Sequence, residues 1–96
     1  MDSQAHVAMA TPARYLGQLC KHFAHKIPVT QEADRGTITF PAGFCSLEAT
    51  QDTLVLRVTG ADEEAVAKLE DVVARHLLRF AFREPPVVNW VRGGGQ

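Results

Sequence analysis

Between positions 29 and 58 the apolar residues recur at every second place, and turn chemistry breaks the run three times. Ile38 and Phe40 share one side of their segment. Cys45, Leu47 and Ala49 share a side of the next, and Leu54, Leu56 and Val58 a side of the last. The breaks carry Asp34 with Gly36, Pro41 with Gly43, and Gln51 with Asp52, residue types that favour tight reversals. A period of two is the signature of a strand with one buried face. The block therefore predicts strands over 29–33, 37–40, 44–49 and 53–58, joined as a series of hairpins. The other face carries Thr37, Thr39, Ser46, Glu48 and Arg57, so the sheet is antiparallel with one wetter side.

The flanks follow a different period. After a short strand predicted over 4–10, Thr11 and Pro12 supply an N-cap and a first-turn proline. The helix they open is expected to run to about Lys26, with Pro28 stopping it. At about 100° per residue it gathers Tyr15, Leu16, Leu19, Cys20, Phe23 and Ile27 on one face. A second helix opens at "TGADEE", with Thr59 or Asp62 as cap and Glu63 and Glu64 at the end where the helix dipole favours anions. It is expected to reach about Phe82, with Arg75, Arg79 and Arg83 toward the opposite end. "EPP" stops it, residues 87–91 read as a last strand, and "RGGGQ" reads as a frayed tail.

The predicted fold is thus α+β: a two-layer α/β sandwich in which a mainly antiparallel sheet carries both helices on one face, in the order β-α-β-β-β-β-α-β. Residues 1–92 form the single domain and 93–96 a disordered tail. The expected core comprises Val7, Leu16, Leu19, Phe23, Ile38, Phe40, Leu47, Leu54, Leu56, Leu69, Val73, Leu77 and Phe80.

Composition narrows the function classes. A formal net charge of −1 over 96 residues gives no global field for nucleic acid or membrane, and the aromatic residues are not interleaved with basic ones as stacking platforms are. No apolar stretch approaches a membrane span. The opening "MDSQAHVAMA" does not read as a signal peptide, so the two cysteines, Cys20 and Cys45, are expected to be free thiols in a cytoplasmic protein.

The stretch "CKHFAHK", residues 20–26, concentrates a thiol, two imidazoles and two ammonium groups. Helical phase divides it. Cys20 belongs with the apolar face, Lys21 and His25 with the wet face, His22 and Lys26 with the flank. Cys20 and His22 lie about 200° apart around the helix, which rules out a shared metal ion. The wet face is unusual because no acidic residue stands between Asp2 and Glu32. Arg14, Lys21 and His25 are therefore the ligand-binding candidates, an anion-attracting stripe; the plainer reading is a solvated face whose partners lie on the second helix.

On that second helix His76 shares a face with Leu69, Val73 and Phe80. It is expected to be mostly buried and to find a partner such as Tyr15, Cys20, Ser46 or a backbone carbonyl. If the protein is an enzyme or redox protein, Cys20, His22 and His76 are the catalytic candidates. No metal site or cofactor is expected, since no ligand pairs, glycine-rich loop or nucleophile elbow occur.

Three blocks in order, "YLGQLCKHFAHK", "FCSLEATQDTLVLRV" and "LEDVVARHLLRFAFRE", resemble a family of small bacterial proteins designated domain of unknown function twenty-two eighteen. The resemblance runs from His6 to Trp90. It implies a context rather than a mechanism: members occur alone, beside or fused to siderophore-interacting flavin reductases. The resemblance thus implies iron metabolism and such a reductase as partner, an anionic ligand being the other expected partner. The leading reading is a non-enzymatic binding or accessory module, monomeric or a weak homodimer; the alternative is a small enzyme using Cys20, His22 and His76.

Overall fold

The computed structural model describes residues 1–93. β1 (Asp2–Ala8) leads into α1 (Pro12–Ala24). There follow β2 (Val29–Glu32), β3 (Arg35–Phe40), β4 (Gly43–Ala49) and β5 (Thr53–Gly60), then α2 (Glu63–Phe80) and β6 (Val91–Arg92). The strands form one sheet in the order β2-β3-β4-β5-β1-β6, every neighbouring pair antiparallel. Both helices lie on the same face, α1 over β2 to β5 and α2 over β4, β5 and β1. This is the two-layer α+β arrangement that the periodicities predict.

Between the layers sit Val7, Leu16, Leu19, Ile38, Leu47, Leu54, Leu56, Leu69, Val73 and Leu77, all buried, with Phe23 at the margin. Phe40 and Phe80, expected in the core, are only partly buried and pack against its end. Each buried leucine or isoleucine contributes about 1.5–3 kcal/mol relative to exposure, so this sheet–helix interface is the main source of stability.

Several boundaries differ from expectation, each for a physical reason. β1 begins at Asp2 rather than residue 4 because Ser3 pairs with Val58 and Arg92 on the inward side, and a buried serine leaves no apolar signal in the sequence. Thr11 stands at the N-cap of α1, but its side chain makes no capping hydrogen bond; Pro12 buries itself at the first turn. α1 ends at Ala24, not Lys26, because the amides of Lys26 and Ile27 both turn back to the Phe23 carbonyl. α2 is capped by Asp62, whose carboxylate accepts from the Ala65 amide at 2.9 Å. It stops at Phe80, short of Phe82, which is exposed.

Two corrections concern the sheet. The β2–β3 reversal is Ala33–Asp34, with Ala33 at φ 32°, and Gly36 is not a turn residue. It lies within β3 opposite Gln31 and Leu47. A Cβ there would stand 2.7 Å from Cys20 Sγ, so the missing side chain lets α1 approach the sheet. The final strand is two residues, not five. Residues 87–90 cross beside α2 without ladder bonds, burying Val88 and Trp90 against the core, and only Val91 and Arg92 pair with β1. Arg92 is fixed there by Glu70 of α2 at 2.8 Å, and Gly93 donates to the Asp2 carbonyl. Gly93 is therefore part of the fold, while the rest of the tail expected to fray lies outside the described residues. No helix among the described residues is long and apolar enough to cross a membrane.

Candidate functional site

The ends of the two helices meet at a pair of imidazoles. His22, in the last turns of α1, stacks on His76 of α2 with ring centroids 4.9 Å apart and planes at 46°. Phe23 contacts His76 at 4.8 Å, and Phe80 meets His22 edge-on at 5.7 Å. Phe23 in turn packs on Phe40 of β3 at 5.1 Å, which anchors the group to the sheet.

His76 is half-buried rather than mostly buried, because it meets the exposed His22 and the marginal Phe23 of α1 at the edge of the core. Its partner is the backbone of its own helix: Nδ1 lies 2.7 Å from the Val72 carbonyl. A carbonyl only accepts, so Nδ1 carries the proton and Nε2 of the neutral ring keeps a free lone pair.

The surroundings of this pair are cationic. Arg75, His76 and Arg79 line a concavity of about 340 Å³. Dehydration of the ring face against its neighbours is the main cause holding His22 below the usual histidine value of 6.5, and the charges of His76, Arg79, Lys26 and His25 add to it. His22 is exposed overall, so the dehydration is confined to the side turned toward α2. Arg75 is paired with Asp71 at 3.0 Å. Among the described residues no carboxylate forms a salt bridge with Arg79 or Lys26.

A pH dependence follows, with a definite sign. Above about 6.5 His22 is neutral in both folded and unfolded chains, and its contribution to stability is intact. As the pH falls, the unfolded chain takes the proton first. Stability is therefore lost through the window from 6.5 down to the lowered folded value. Urea midpoints measured from neutral pH to about pH 5 should fall for the wild type and fall less for His22→Gln. Equal slopes would show that the stacked pair is not under this strain.

A family model described as "Uncharacterized protein conserved in bacteria (DUF2218)" matches residues 4–91. The chain belongs to this family. Among solved structures it resembles the NMR structure of PA4090 from Pseudomonas aeruginosa, at 36% identity over 95% of each chain and a TM-score of 0.81. No curated protein matches it.

Within this family fold the residues singled out from sequence are distributed as follows. Arg14, Lys21 and His25 are all exposed, and among the described residues none takes part in a salt bridge. Three of the four acids of α2 are engaged elsewhere, Glu64 with Lys68, Asp71 with Arg75 and Glu70 with Arg92, and the fourth, Glu63, stands in the first turn at the opposite end from His76. His25 is the member of the stripe whose charge is felt at His22, as the smallest of the influences on it. Of the three enzyme candidates, His22 and His76 come together. Cys20 is fully buried on the sheet side of α1, and burial pushes its thiol up. Cys45 is also buried, and both thiols are free. Among the described residues no group of three or more metal-ligating side chains occurs.

Sequence reasoning missed the meeting of His22 and His76 because helical phase fixes a residue's side but not the angle at which two helices cross. The signal it did contain is that Lys26, Arg75 and Arg79 cluster near both helix ends without intervening acids other than Asp71.

Proposed function

We propose that the protein is a non-enzymatic binding module of the cytoplasm that holds an oxyanion beside the His22–His76 pair, with Arg79 and Lys26 supplying the charge, His25 at the margin, and Arg14 and Lys21 extending the cationic surface along α1. The single observation that carries this reading is the imidazole pair set beside Arg79 and Lys26, two cations that form no salt bridge among the described residues. An exposed cationic surface of this kind attracts anions, and attraction between exposed charges is screened by salt. The competing account is that these cations merely complement the carbonyl ends of α1 and α2. That account predicts no ligand.

On this reading the partner is a siderophore-interacting flavin reductase, as the family resemblance implies, and the module works in siderophore or iron metabolism as a monomer or weak homodimer. Its docking would use the same acid-free stripe, so reversing Arg14 and Lys21 to Glu should abolish low-salt binding to a neighbouring reductase.

The direct test is a titration of the ¹⁵N-labelled protein with inorganic phosphate. Amides around His22, His76 and Arg79 should shift, the response should fade with added salt, and Lys26→Glu with Arg79→Glu should weaken it about tenfold, since each exposed pair is worth up to about 1 kcal/mol. A phosphate response that is unchanged in the double variant removes this surface as the site.

A further inference from the structure

Among the described residues no helix covers the other face of the sheet, and it carries a concavity of about 450 Å³ bounded by Gln4, His6, Ser46, Glu48, Val55 and Arg57. Its side chains are ordered in a chain of hydrogen bonds. Arg57 donates from Nη2 and Nε to Gln4 Oε1, at 2.8 and 3.3 Å. Gln4 Nε2 stands 2.7 Å from His6 Nε2.

A guanidinium only donates, so the end of Gln4 toward Arg57 must be the carbonyl and the end toward His6 the amide NH₂. The NH₂ in turn requires a lone pair on His6 Nε2, which places the proton of the neutral ring on Nδ1. Every orientation in this row is thereby fixed from one end. Asp2 lies 3.9 Å from Arg57 Nε, beyond hydrogen-bond reach, and contributes charge without occupying a donor.

What is left over is a set of donors. The Nη1 edge of Arg57 takes no part in its bonds to Gln4. Ser46 stands directly across from Arg57 in the β4–β5 register, where facing side chains are about 5 Å apart at Cβ. Val55 lies between Glu48 and His6 in the adjoining row of the same face and is the apolar part of the floor. Arg35 pairs with Glu48 at 3.4 Å on the far side, so that carboxylate is answered from within the site.

We propose that this open sheet face is a separate site for a small monocarboxylate with a short aliphatic body. The carboxylate is received end-on by the Nη1–Nη2 edge of Arg57 together with the Ser46 hydroxyl, and the alkyl part lies over Val55. The charge count selects one negative charge rather than two: the lining holds two arginines, Arg35 and Arg57, against one carboxylate, Glu48, while Asp2 stands outside it on the Nε side of Arg57. A monoanion matches that single excess charge and gains a directed fork, while a phosphate dianion or polyphosphate exceeds it. The helix-side cluster has the opposite character, so the two faces sort ligands by charge. This proposal is independent of the phosphate reading, because it uses neither helix.

The test uses butyrate and butyramide, which share shape and differ in charge. In ¹⁵N spectra of the intact protein near neutral pH, butyrate should shift the amides of Ser46, Val55 and Arg57 and the Arg57 Nε–H, and butyramide should not. Arg57→Gln should weaken the butyrate response roughly tenfold, as expected for a charge-assisted hydrogen bond. If that variant fails to give a folded spectrum, Arg57→Lys serves instead. It keeps the charge but not the fork, and should bind several-fold more weakly. Equal shifts from butyrate and butyramide, shifts confined to the His22–His76 surface, or an unchanged response in the folded Arg57 variant would each overturn the proposal.

Discussion

Replacing Gly43 with alanine is expected to destabilise the protein by about 3–5 kcal/mol, a large part of what a domain of this size has. Gly43 opens β4 at φ +156° and pairs with Gly60 at the end of β5. A Cβ built on it would lie 2.0 Å from the Thr59 carbonyl oxygen and 3.0 Å from Leu69 Cδ1 of α2. The backbone oxygen cannot move aside without breaking the β4–β5 ladder, so strain and overpacking add, each on the order of 1–3 kcal/mol. Gly17, inside α1, is the control: its Cβ would meet only Gln31 Nε2, at 3.8 Å. Gly17→Ala should be neutral or stabilise by up to about 1 kcal/mol through helix propensity. Urea unfolding of the two variants should separate them in opposite directions from wild type. A Gly43→Ala protein as stable as the parent would mean that β4 does not enter the sheet as described.

The second large effect concerns thiol reactivity. Burial, and secondarily the neighbouring Cys20, pushes the Cys45 thiol from 9.0 up to about 12. Thiolate is the reactive species, so a three-unit rise leaves about a thousandfold less of it at neutral pH. Labelling by an aromatic disulfide should therefore be slower by at least about that factor in the native protein than in urea, because exclusion of the reagent from a fully buried sulfur adds to the pKa effect. Cys20, fully buried with its thiol also pushed up, should lag as well. Rapid native labelling of Cys20 would revive the enzyme reading built on Cys20, His22 and His76. Slow labelling leaves the thiol as a packing group seated over Gly36.

The distribution of legible and illegible features has a common physical cause. Period-two and helical patterns report which side of an element is apolar, and these placed Leu16, Leu19, Ile38, Leu54, Leu56 and Leu77 correctly. They say nothing of how closely two layers approach. Glycine in isolation favours reversals, so the sequence alone puts Gly36 in the turn, whereas its place is dictated by the sulfur above it. The last strand is shorter than its apolar run suggests because Val88 and Trp90 pack partly buried against the core without pairing, and packing and ladder bonds leave the same apolar mark in a sequence. At the candidate site the exposed stripe of Arg14, Lys21 and His25 was legible from phase alone. The His22–His76 stack depended on the crossing of two helices, and the Gln4–Arg57 link joins residues 53 positions apart through a register that no local pattern encodes.

The position of β1 has a consequence for the order of assembly. The four middle strands each neighbour the next in sequence, so their hairpins can close early over short loops. β1 instead slots between β5 and β6, pairing Ala8 with Thr53 and Asp2 with Thr59. Closing a loop of that length costs more chain entropy than any single hairpin does, and topologies with distant pairings fold more slowly than local ones. The meander of β2 to β5 is thus expected to form first, the N-terminal strand to join it afterwards, and β6, which pairs only with β1, to follow.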